Sequence, residues 1–172
     1  MKNVFMESER FFLRTLIEDD VNARYLEWIN GSDKSQYINY TNQNRTVDEI
    51  STFVTERVNS DTVLFLGIFV RESGEHIGNI KYEPIDFKKS YAIMGILIGE
   101  KNWRGRGVAA EVIIKSSMWL HEKYGVRQFI LGVNTGNPWA IRAYKKVGFR
   151  QKQTPMLSTM DKATISMVWD IK

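Results

Sequence analysis

Residues 102–112 read NWRGRGVAAEV and place two arginines and two glycines directly before a run of small and apolar residues that favours a helix. Glycines at this position expose consecutive backbone N–H groups, and the helix N-terminus adds a positive partial charge. The stretch therefore suits a phosphate-binding loop, part of a dinucleotide-binding fingerprint, or a plain turn between a strand and a helix. The first and third interpretations fit the stretch equally well, so the rest of the sequence has to decide between them.

The dinucleotide interpretation rests on residues 105–110, which satisfy G-x-G-x-x-A, the loose form of that fingerprint. The fingerprint also needs an acidic residue about 20 positions further on, at the end of the next strand, to bind the ribose. The next strand-like segment, RQFILGVNTGN at residues 127–137, contains neither Asp nor Glu. A nicotinamide-dependent enzyme is therefore disfavoured. A P-loop is excluded because G-x-x-x-x-G-K-[ST] is absent.

The composition is that of one folded domain. A chain of 172 residues is long enough for a full hydrophobic core, and no repeat or linker-like segment divides it, so we expect a single domain over residues 1–172. The formal net charge of +4 suits an anionic small-molecule ligand, but DNA-binding proteins carry a denser basic stripe. The chain contains no cysteine, which excludes disulfides, thiolate metal sites and a cysteine nucleophile.

No targeting or membrane segment is expected. Glu7, Glu9 and Arg10 interrupt the region where a signal peptide needs continuous apolar residues. No run approaches the roughly 18 apolar residues of a membrane span, so we expect a cytoplasmic protein without a membrane partner. His76 and His121 have no clustered partner in the sequence, and no metal site is predicted.

The predicted order of elements is β-α-α-β-β-β-α-β-α-β-β. The first strand covers residues 10–16, and Thr46 with Glu49 forms a capping box at the start of the second helix. Three strands then follow as a meander, and we expect Pro84 to end the second of them. A strand, the long helix after Gly107 and a further strand predict one parallel crossover. The fold class is therefore α/β, with a mixed sheet flanked by helices.

A second informative stretch is NPWAIRAYKKVGF at residues 137–149. It begins with Asn137 at a helix N-cap and Pro138 at the first helical position. Tyr144 lies one turn beyond Ala140 on the same face of that helix. From the residues alone, Asn137 is either only a cap or also a ligand contact, and Tyr144 is either a core aromatic or a functional hydroxyl.

Together the two stretches resemble the GNAT superfamily of acetyl-CoA-dependent N-acetyltransferases. The first matches R-x-x-G-x-A through Arg104, Gly107 and Ala109. Residues 10–30 are similar to the branch that includes ribosomal-protein N-terminal and bacterial nucleotide-sugar N-acetyltransferases. The resemblance favours the phosphate-binding loop and implies the GNAT fold over nearly the whole chain, with acetyl-CoA as cosubstrate and no metal. The second stretch matches N-x-x-A-x-x-x-Y-x-K-x-G-F through Asn137, Ala140, Tyr144, Lys146, Gly148 and Phe149.

The resemblance also implies where acetyl-CoA binds. In the family, the strand before the glycine loop is splayed from its parallel neighbour, and its backbone hydrogen-bonds the pantetheine arm. Asn137 is then expected to contact this arm, and Tyr144 to border it. A basic cluster of Arg142, Lys145, Lys146 and Arg150 either meets the ribose phosphate of CoA or is solvated. The pantetheine-binding residues are Ile96, Leu97 and Ile98, and the pyrophosphate-binding residues are Arg104, Gly105, Arg106, Gly107, Val108 and Ala109.

For catalysis, the resemblance implies that an amine attacks the thioester directly and that Tyr144 is the general acid. Some relatives carry a glutamate as general base at the position that Gly132 occupies here, so that role does not transfer. Glu83 is the candidate base, Glu100 is a second candidate, and water is the alternative.

The acceptor is predicted only as a primary amine, either of a small molecule or sugar or at a protein N-terminus. Trp28, Tyr37 and Tyr40 lie in the region that forms the acceptor pocket of relatives. A homodimer is a further expectation from the resemblance. The alternatives to an N-acetyltransferase are a non-catalytic module that binds acyl-CoA or RNA and, less favoured, the nicotinamide-dependent enzyme.

Overall fold

The computed structural model describes residues 1–30, 45–157 and 163–171. Within these ranges one sheet contains eight strands in the order β1-β2-β3-β4-β5-β6-β8-β7. The strands are β1 (Phe5–Glu7), β2 (Phe11–Thr15), β3 (Leu64–Val70), β4 (His76–Asp86), β5 (Tyr91–Ile98), β6 (Gln128–Asn134), β7 (Arg150–Gln151) and β8 (Thr164–Asp170). The helices are α1 (Ala23–Asn30), α2 (Val47–Val58), α3 (Val108–Tyr124) and α4 (Pro138–Val147).

The sheet is mixed, as predicted. Each neighbouring pair of strands is antiparallel except β5 and β6, which are parallel and joined by the crossover through α3. Parallel neighbours require such a crossover connection, usually through a helix. The predicted α/β class and the single parallel crossover are therefore confirmed.

Two details of the predicted order are wrong. The three-residue strand β1 was not predicted, because so short a segment gives little periodic signal. Pro84 does not end its strand, because β4 continues to Asp86 and pairs with β5 again through Ile85 and Ala92. The pairing register shifts between Tyr82 and Ile85, and such a bulge accommodates a proline that cannot donate to the ladder.

The sheet buries both of its faces. On one face α3 and α4 cover the larger core, and the hydroxyl of Tyr82 is satisfied there by Ser116 and Ser117 at 2.7 and 2.9 Å. On the other face α1 and α2 cover a smaller core. The larger core includes Phe11, Leu13, Ile80, Tyr82, Val112, Ile113 and Phe129, and the smaller one Leu16, Val21, Tyr25, Ile50, Val54, Val63 and Phe65.

The helix ends follow the local sequence. The Thr46 hydroxyl accepts from the Glu49 amide at 3.2 Å, and the Glu49 carboxylate accepts from the Thr46 amide at 2.8 Å, which confirms the capping box. The Asn137 side chain caps α4 by accepting from the Ala140 amide at 3.1 Å. In the described part of the chain, none of the helices α1 to α4 is long and apolar enough to cross a membrane.

Candidate active site

The parallel strands β5 and β6 separate before they end. They pair at Tyr91–Gln128, Ala92–Phe129 and Ile93–Ile130, and no further pair follows in the described part of the chain. Strand β5 nevertheless continues to Ile98, and β6 stays paired with β8 as far as Asn134. The two strands therefore form a gap that is open towards their carboxyl ends.

The backbone of β5 presents hydrogen-bonding groups to this gap. The Gly99 amide donates to the Ile77 carbonyl at 2.9 Å, and Leu97 pairs with Asn79. Because antiparallel residues alternate in the side to which they bond, the backbone of Leu97 faces β4, whereas those of Ile96 and Ile98 face β6. Of the three predicted pantetheine contacts, Ile96 and Ile98 thus direct their backbone groups into the gap.

A glycine-rich loop follows β5 and leads into α3. Gly105 and Gly107 have φ angles of 75° and 79°, in the left-handed region that favours glycine. Gly107 is the N-cap of α3, and the first helical bond runs from the Glu111 amide to its carbonyl at 3.2 Å. The amides of Val108, Ala109 and Ala110 precede that bond and have no intrahelical acceptor. They form a cluster of donors at the positive end of the helix dipole.

The two arginines of this loop differ in their surroundings. Arg104 donates from Nε to the Ile98 carbonyl at 3.0 Å and from Nη2 to the Gly99 carbonyl at 3.1 Å, so its guanidinium fastens the loop to the end of β5. Arg106 is exposed, and its guanidinium carbon lies 5.7 Å from the centre of the Trp103 ring.

Helix α4 follows β6, the far wall of the gap, and carries Tyr144. The ring of Tyr144 is half-buried and packs against Phe149 with centroids 5.9 Å apart. No residue in the described ranges hydrogen-bonds its hydroxyl, and burial raises the pKa of Tyr144 to about 12. The amides of Gly148 and Phe149 donate to the Tyr144 carbonyl at 3.2 and 3.0 Å, which fixes the backbone of this residue at the helix end.

This arrangement of a splayed strand pair, a glycine loop and a helix-borne tyrosine can be compared with known proteins. The family model described as "Acetyltransferase (GNAT) domain" matches residues 10–150. The chain belongs to the GNAT acetyltransferase family. No individual curated protein matches the sequence.

Solved structures share the GNAT fold at low sequence identity. The ribosomal L7/L12 α-N-protein acetyltransferase RimL in complex with coenzyme A has a TM-score of 0.83 and 14% identity, and the match covers 98% of each chain. A GNAT-family acetyltransferase from Bacillus anthracis has a TM-score of 0.80 and 15% identity over 97% of this chain and 98% of that one. The microcin C7 self-immunity acetyltransferase MccE, in complex with acetyl-CoA and AMP, has a TM-score of 0.79 and 14% identity over 95% and 93%.

In this GNAT domain both candidate bases are held in ion pairs. The Glu83 carboxylate accepts from Lys81 Nζ and from Arg57 Nε, the latter at 3.1 Å. Burial by itself raises the pKa of Glu83, but Lys81 and Arg57 outweigh it and hold that pKa below its usual range. The Glu100 carboxylate accepts from Arg24 Nε at 2.6 Å and from Trp28 Nε1 at 3.1 Å.

On the predicted acceptor side, Trp28 is half-buried and has structural contacts of its own. Its ring meets His76 edge-on at 5.0 Å, besides the hydrogen bond to Glu100. Tyr37 and Tyr40, the other predicted acceptor residues, lie outside the described residues. Within residues 1–30, 45–157 and 163–171, no group of three or more His, Cys, Asp or Glu side chains could hold a metal ion.

The exposed face of α4 carries the predicted basic cluster. Arg142, Lys145 and Lys146 are on this helix, and Arg150 begins β7 directly after it. The Arg142 guanidinium stacks 4.2 Å from the centre of the Trp139 ring, which is 76% exposed. The four cations thus lie on, or within three residues after, the helix that follows β6.

Sequence reasoning missed one group of contacts at the glycine loop. Arg10, in the turn before β2, donates from Nη1 to the Arg106 carbonyl at 3.0 Å and pairs with the Glu111 carboxylate through Nε at 2.8 Å. About a hundred residues of sequence separate these partners, so no local pattern could indicate the contact.

Proposed function

We propose that this protein transfers the acetyl group of acetyl-CoA to a primary amine by direct attack on the thioester. The observation that carries the proposal is the gap between β5 and β6. The backbone of β5 lines one wall and leads into the N-terminus of α3, and the helix after the other wall carries Tyr144, whose hydroxyl no described residue hydrogen-bonds. The fold neighbours RimL and MccE, whose structures contain CoA and acetyl-CoA, support this choice of donor.

The donor site we propose uses three parts of the chain. The pantetheine arm adds to β5 like a further strand, bonded by Ile96 and by the amide of Ile98, whose carbonyl already accepts from Arg104. Leu97 lies between them and faces β4. The Asn137 oxygen is engaged by its own helix, so its side-chain NH₂ is the group that donates to this arm. The pyrophosphate meets residues 104–109, where each helix-end contact contributes roughly 0.3–1 kcal/mol. Lys146 and its basic neighbours then lie near the ribose phosphate.

Tyr144 is proposed as the general acid that protonates the departing CoA thiolate. Its pKa of about 12 keeps the phenol protonated at neutral pH. A cysteine thiol has a pKa near 8.5 in water, and with this value as a guide to the CoA thiol the phenol is the weaker acid in the free enzyme. Burial also raises the pKa of a thiol, which narrows the difference when the leaving group lies in the gap. Proton transfer from a positioned acid contributes typically 10²–10⁴-fold to the rate.

The attacking amine must be neutral, and we propose that water accepts its proton. Glu83 is the side-chain candidate for this step, but its ion pairs with Lys81 and Arg57 stabilise the carboxylate and so weaken it as a base. Glu100 is likewise engaged by two donors from α1. Protonation of Glu83 or Glu100 would weaken these contacts, so water is favoured over either carboxylate as the proton acceptor.

We propose a small-molecule or sugar amine, or a protein N-terminus, as the acceptor. Trp28, which packs against Gly99 and Glu100 at the end of β5, is proposed to contribute to the acceptor pocket. The fold neighbours include enzymes for both kinds of substrate, since RimL is a ribosomal L7/L12 α-N-protein acetyltransferase and another neighbour is the spermidine N-acetyltransferase of Vibrio cholerae. A homodimer is part of this proposal, and light scattering during gel filtration tests it.

Two measurements test the proposed function. Acetyl-CoA should raise the melting temperature, because a ligand stabilises by RT ln(1 + [L]/Kd), whereas NADH and an oligonucleotide should not. An acceptor screen then follows release of the CoA thiol, and a thiol reagent reports only CoA because the protein has no cysteine. If saturating acetyl-CoA leaves the melting temperature unchanged, the proposal is wrong.

A further inference from the structure

Arg10, in the turn before β2, contacts both the glycine loop and the first turn of α3. Its Nη1 donates to the Arg106 carbonyl at 3.0 Å, and its Nη2 lies 3.6 Å from the position that a Cβ on Gly107 would occupy. Its Nε and its own backbone amide donate to the two carboxylate oxygens of Glu111, each at 2.8 Å. One side chain therefore holds the loop and the first turn of α3 together.

The bond to the Arg106 carbonyl fixes the orientation of a peptide unit. In a planar trans peptide the C=O and the following N–H point in opposite directions. Because the Arg106 carbonyl points at Arg10, the Gly107 amide points away from Arg10. This amide directly precedes the amides of the first turn of α3, which have no acceptor within the helix and lie at the end where an anion would bind.

The pair with Glu111 addresses a problem of charge. Glu111 lies one turn into α3, where a carboxylate suits the helix dipole but repels a bound pyrophosphate. Burial alone raises the pKa of Glu111, yet hydrogen bonds from the Arg10 amide, Ser8 and the Arg10 side chain lower it overall, so the carboxylate is ionised. The Arg10 cation offsets this negative charge and leaves the loop available to an anion.

We propose that Arg10 is a positioning residue for the pyrophosphate of the cosubstrate. It aims the Gly107 amide through the Arg106 carbonyl, and it neutralises Glu111 next to the anion site. This inference rests on the proposed function, because it assumes that the glycine loop binds a pyrophosphate.

The test compares the affinity of purified variants for CoA, by calorimetry, with their affinity for pantetheine, by ligand-observed NMR. Pantetheine lacks the pyrophosphate, so a loss specific to CoA reports on the glycine loop. We expect Arg10→Ala to weaken CoA binding by about tenfold or more, the size of one lost charge-assisted hydrogen bond, with pantetheine unchanged. Arg10→Lys retains the charge without the forked geometry, so its affinity for CoA should lie between those of the wild type and Arg10→Ala.

A charge cycle separates the two roles of Arg10. Arg10→Ala leaves Glu111 ionised beside the anion, so the double variant Arg10→Ala/Glu111→Gln should recover part of the lost CoA affinity. The matched control is Arg71→Ala, because Arg71 also anchors the turn before β2, through the Ser8 and Glu9 carbonyls at 3.1 and 3.3 Å, without contact to the loop. It should lower the melting temperature but not the CoA affinity.

Each result has one meaning. If the wild-type protein does not bind CoA, the proposed function fails. If the wild type binds CoA and Arg10→Ala binds it equally well, the inference about Arg10 is overturned. It is also overturned if Arg10→Ala lowers the affinities for pantetheine and for CoA by the same factor. A loss with Arg71→Ala as large as that with Arg10→Ala would also overturn it. If the double variant binds no better than Arg10→Ala, the neutralising role of Arg10 is overturned.

Discussion

The indole of Trp28 covers the backbone of Gly99 so closely that a Cβ at residue 99 would lie 2.1 Å from the ring. Trp28 also donates to Glu100, the next residue, at 3.1 Å, and Arg24 of the same helix donates to Glu100 at 2.6 Å. Helix α1 is therefore fastened at the point where β5 leads into the glycine loop.

We expect Gly99→Ala to destabilise the protein by about 1–3 kcal/mol, the usual cost of forcing extra volume into a packed contact. The new methyl group would displace the Trp28 ring and weaken the bonds of α1 to Glu100. Urea unfolding measures the change. The matched control is Gly95→Ala on β5, the strand that Gly99 follows, because a Cβ at residue 95 meets no described atom within 4 Å. Equal stabilities of the two variants would contradict the prediction.

Replacing the Tyr144 hydroxyl should impair turnover without impairing donor binding. Tyr144→Phe keeps the ring against Phe149 but removes the proton donor, so we expect kcat to fall by about 10²–10⁴-fold. The Kd for acetyl-CoA and the melting temperature should stay at wild-type values. Tyr124→Phe, at a partly exposed tyrosine of α3, is the control and should retain activity. Wild-type kcat in Tyr144→Phe would rule out the acid role.

Removing the Glu83 carboxylate should have a small effect if water is the proton acceptor. We expect Glu83→Gln to keep kcat within about tenfold of wild type, whereas loss of a general base costs about 10²–10⁴-fold. The comparison variant is Glu56→Gln, because Glu56 is an exposed carboxylate that contacts the same Arg57 at 3.8 Å. A drop in kcat beyond a hundredfold, confined to Glu83→Gln, would identify Glu83 as the base.

Stability should fall in mild acid because of His76. Burial is the main cause that lowers the pKa of His76 to about 4, against its model-compound value of 6.5. Between pH 6.5 and pH 4 the unfolded chain therefore binds a proton at His76 that the folded chain does not. The stability that the neutral His76 side chain contributes is fully present above pH 6.5 and is lost as the pH falls towards 4. This loss of unfolding free energy amounts to about 3 kcal/mol.

Urea unfolding of the wild type and of His76→Gln, at pH values of about 7 and 4, checks this coupling. From pH 7 to pH 4 the free energy of unfolding should fall by about 3 kcal/mol more in the wild type than in His76→Gln. If His76→Gln and the wild type lose equal free energy, His76 is not the group responsible.

Signals that act over a few residues were sufficient for most of the fold. The capping box at Thr46 and the Asn137-Pro138 start of α4 are formed by neighbours in sequence, and both were predicted correctly. The end of β4 was not, because whether Pro84 ends a strand or lies in a bulge depends on the partner strand. Pairing between strands is a property of the sheet and not of the local sequence.

The candidate site was less predictable than the fold. Motif spacing indicated the glycine loop, but not that the Arg104 guanidinium binds the carbonyls of Ile98 and Gly99. Long side chains choose between ligand and backbone according to what the folded chain brings within reach. The same holds for Glu83, whose partners lie on β4 and α2 and make it an ion-paired carboxylate.

The early separation of β5 and β6 has a consequence for how the enzyme would respond to metabolism. On the proposed placement, the strand edge and the glycine loop contact the pantetheine and pyrophosphate, which acetyl-CoA and free CoA share. The acetyl group adds little to the bound surface, so free CoA should compete with acetyl-CoA for the site with a similar affinity. The rate would then follow the ratio of acetyl-CoA to CoA more closely than the concentration of either. Inhibition by the product CoA would thus follow directly from the separation of β5 and β6.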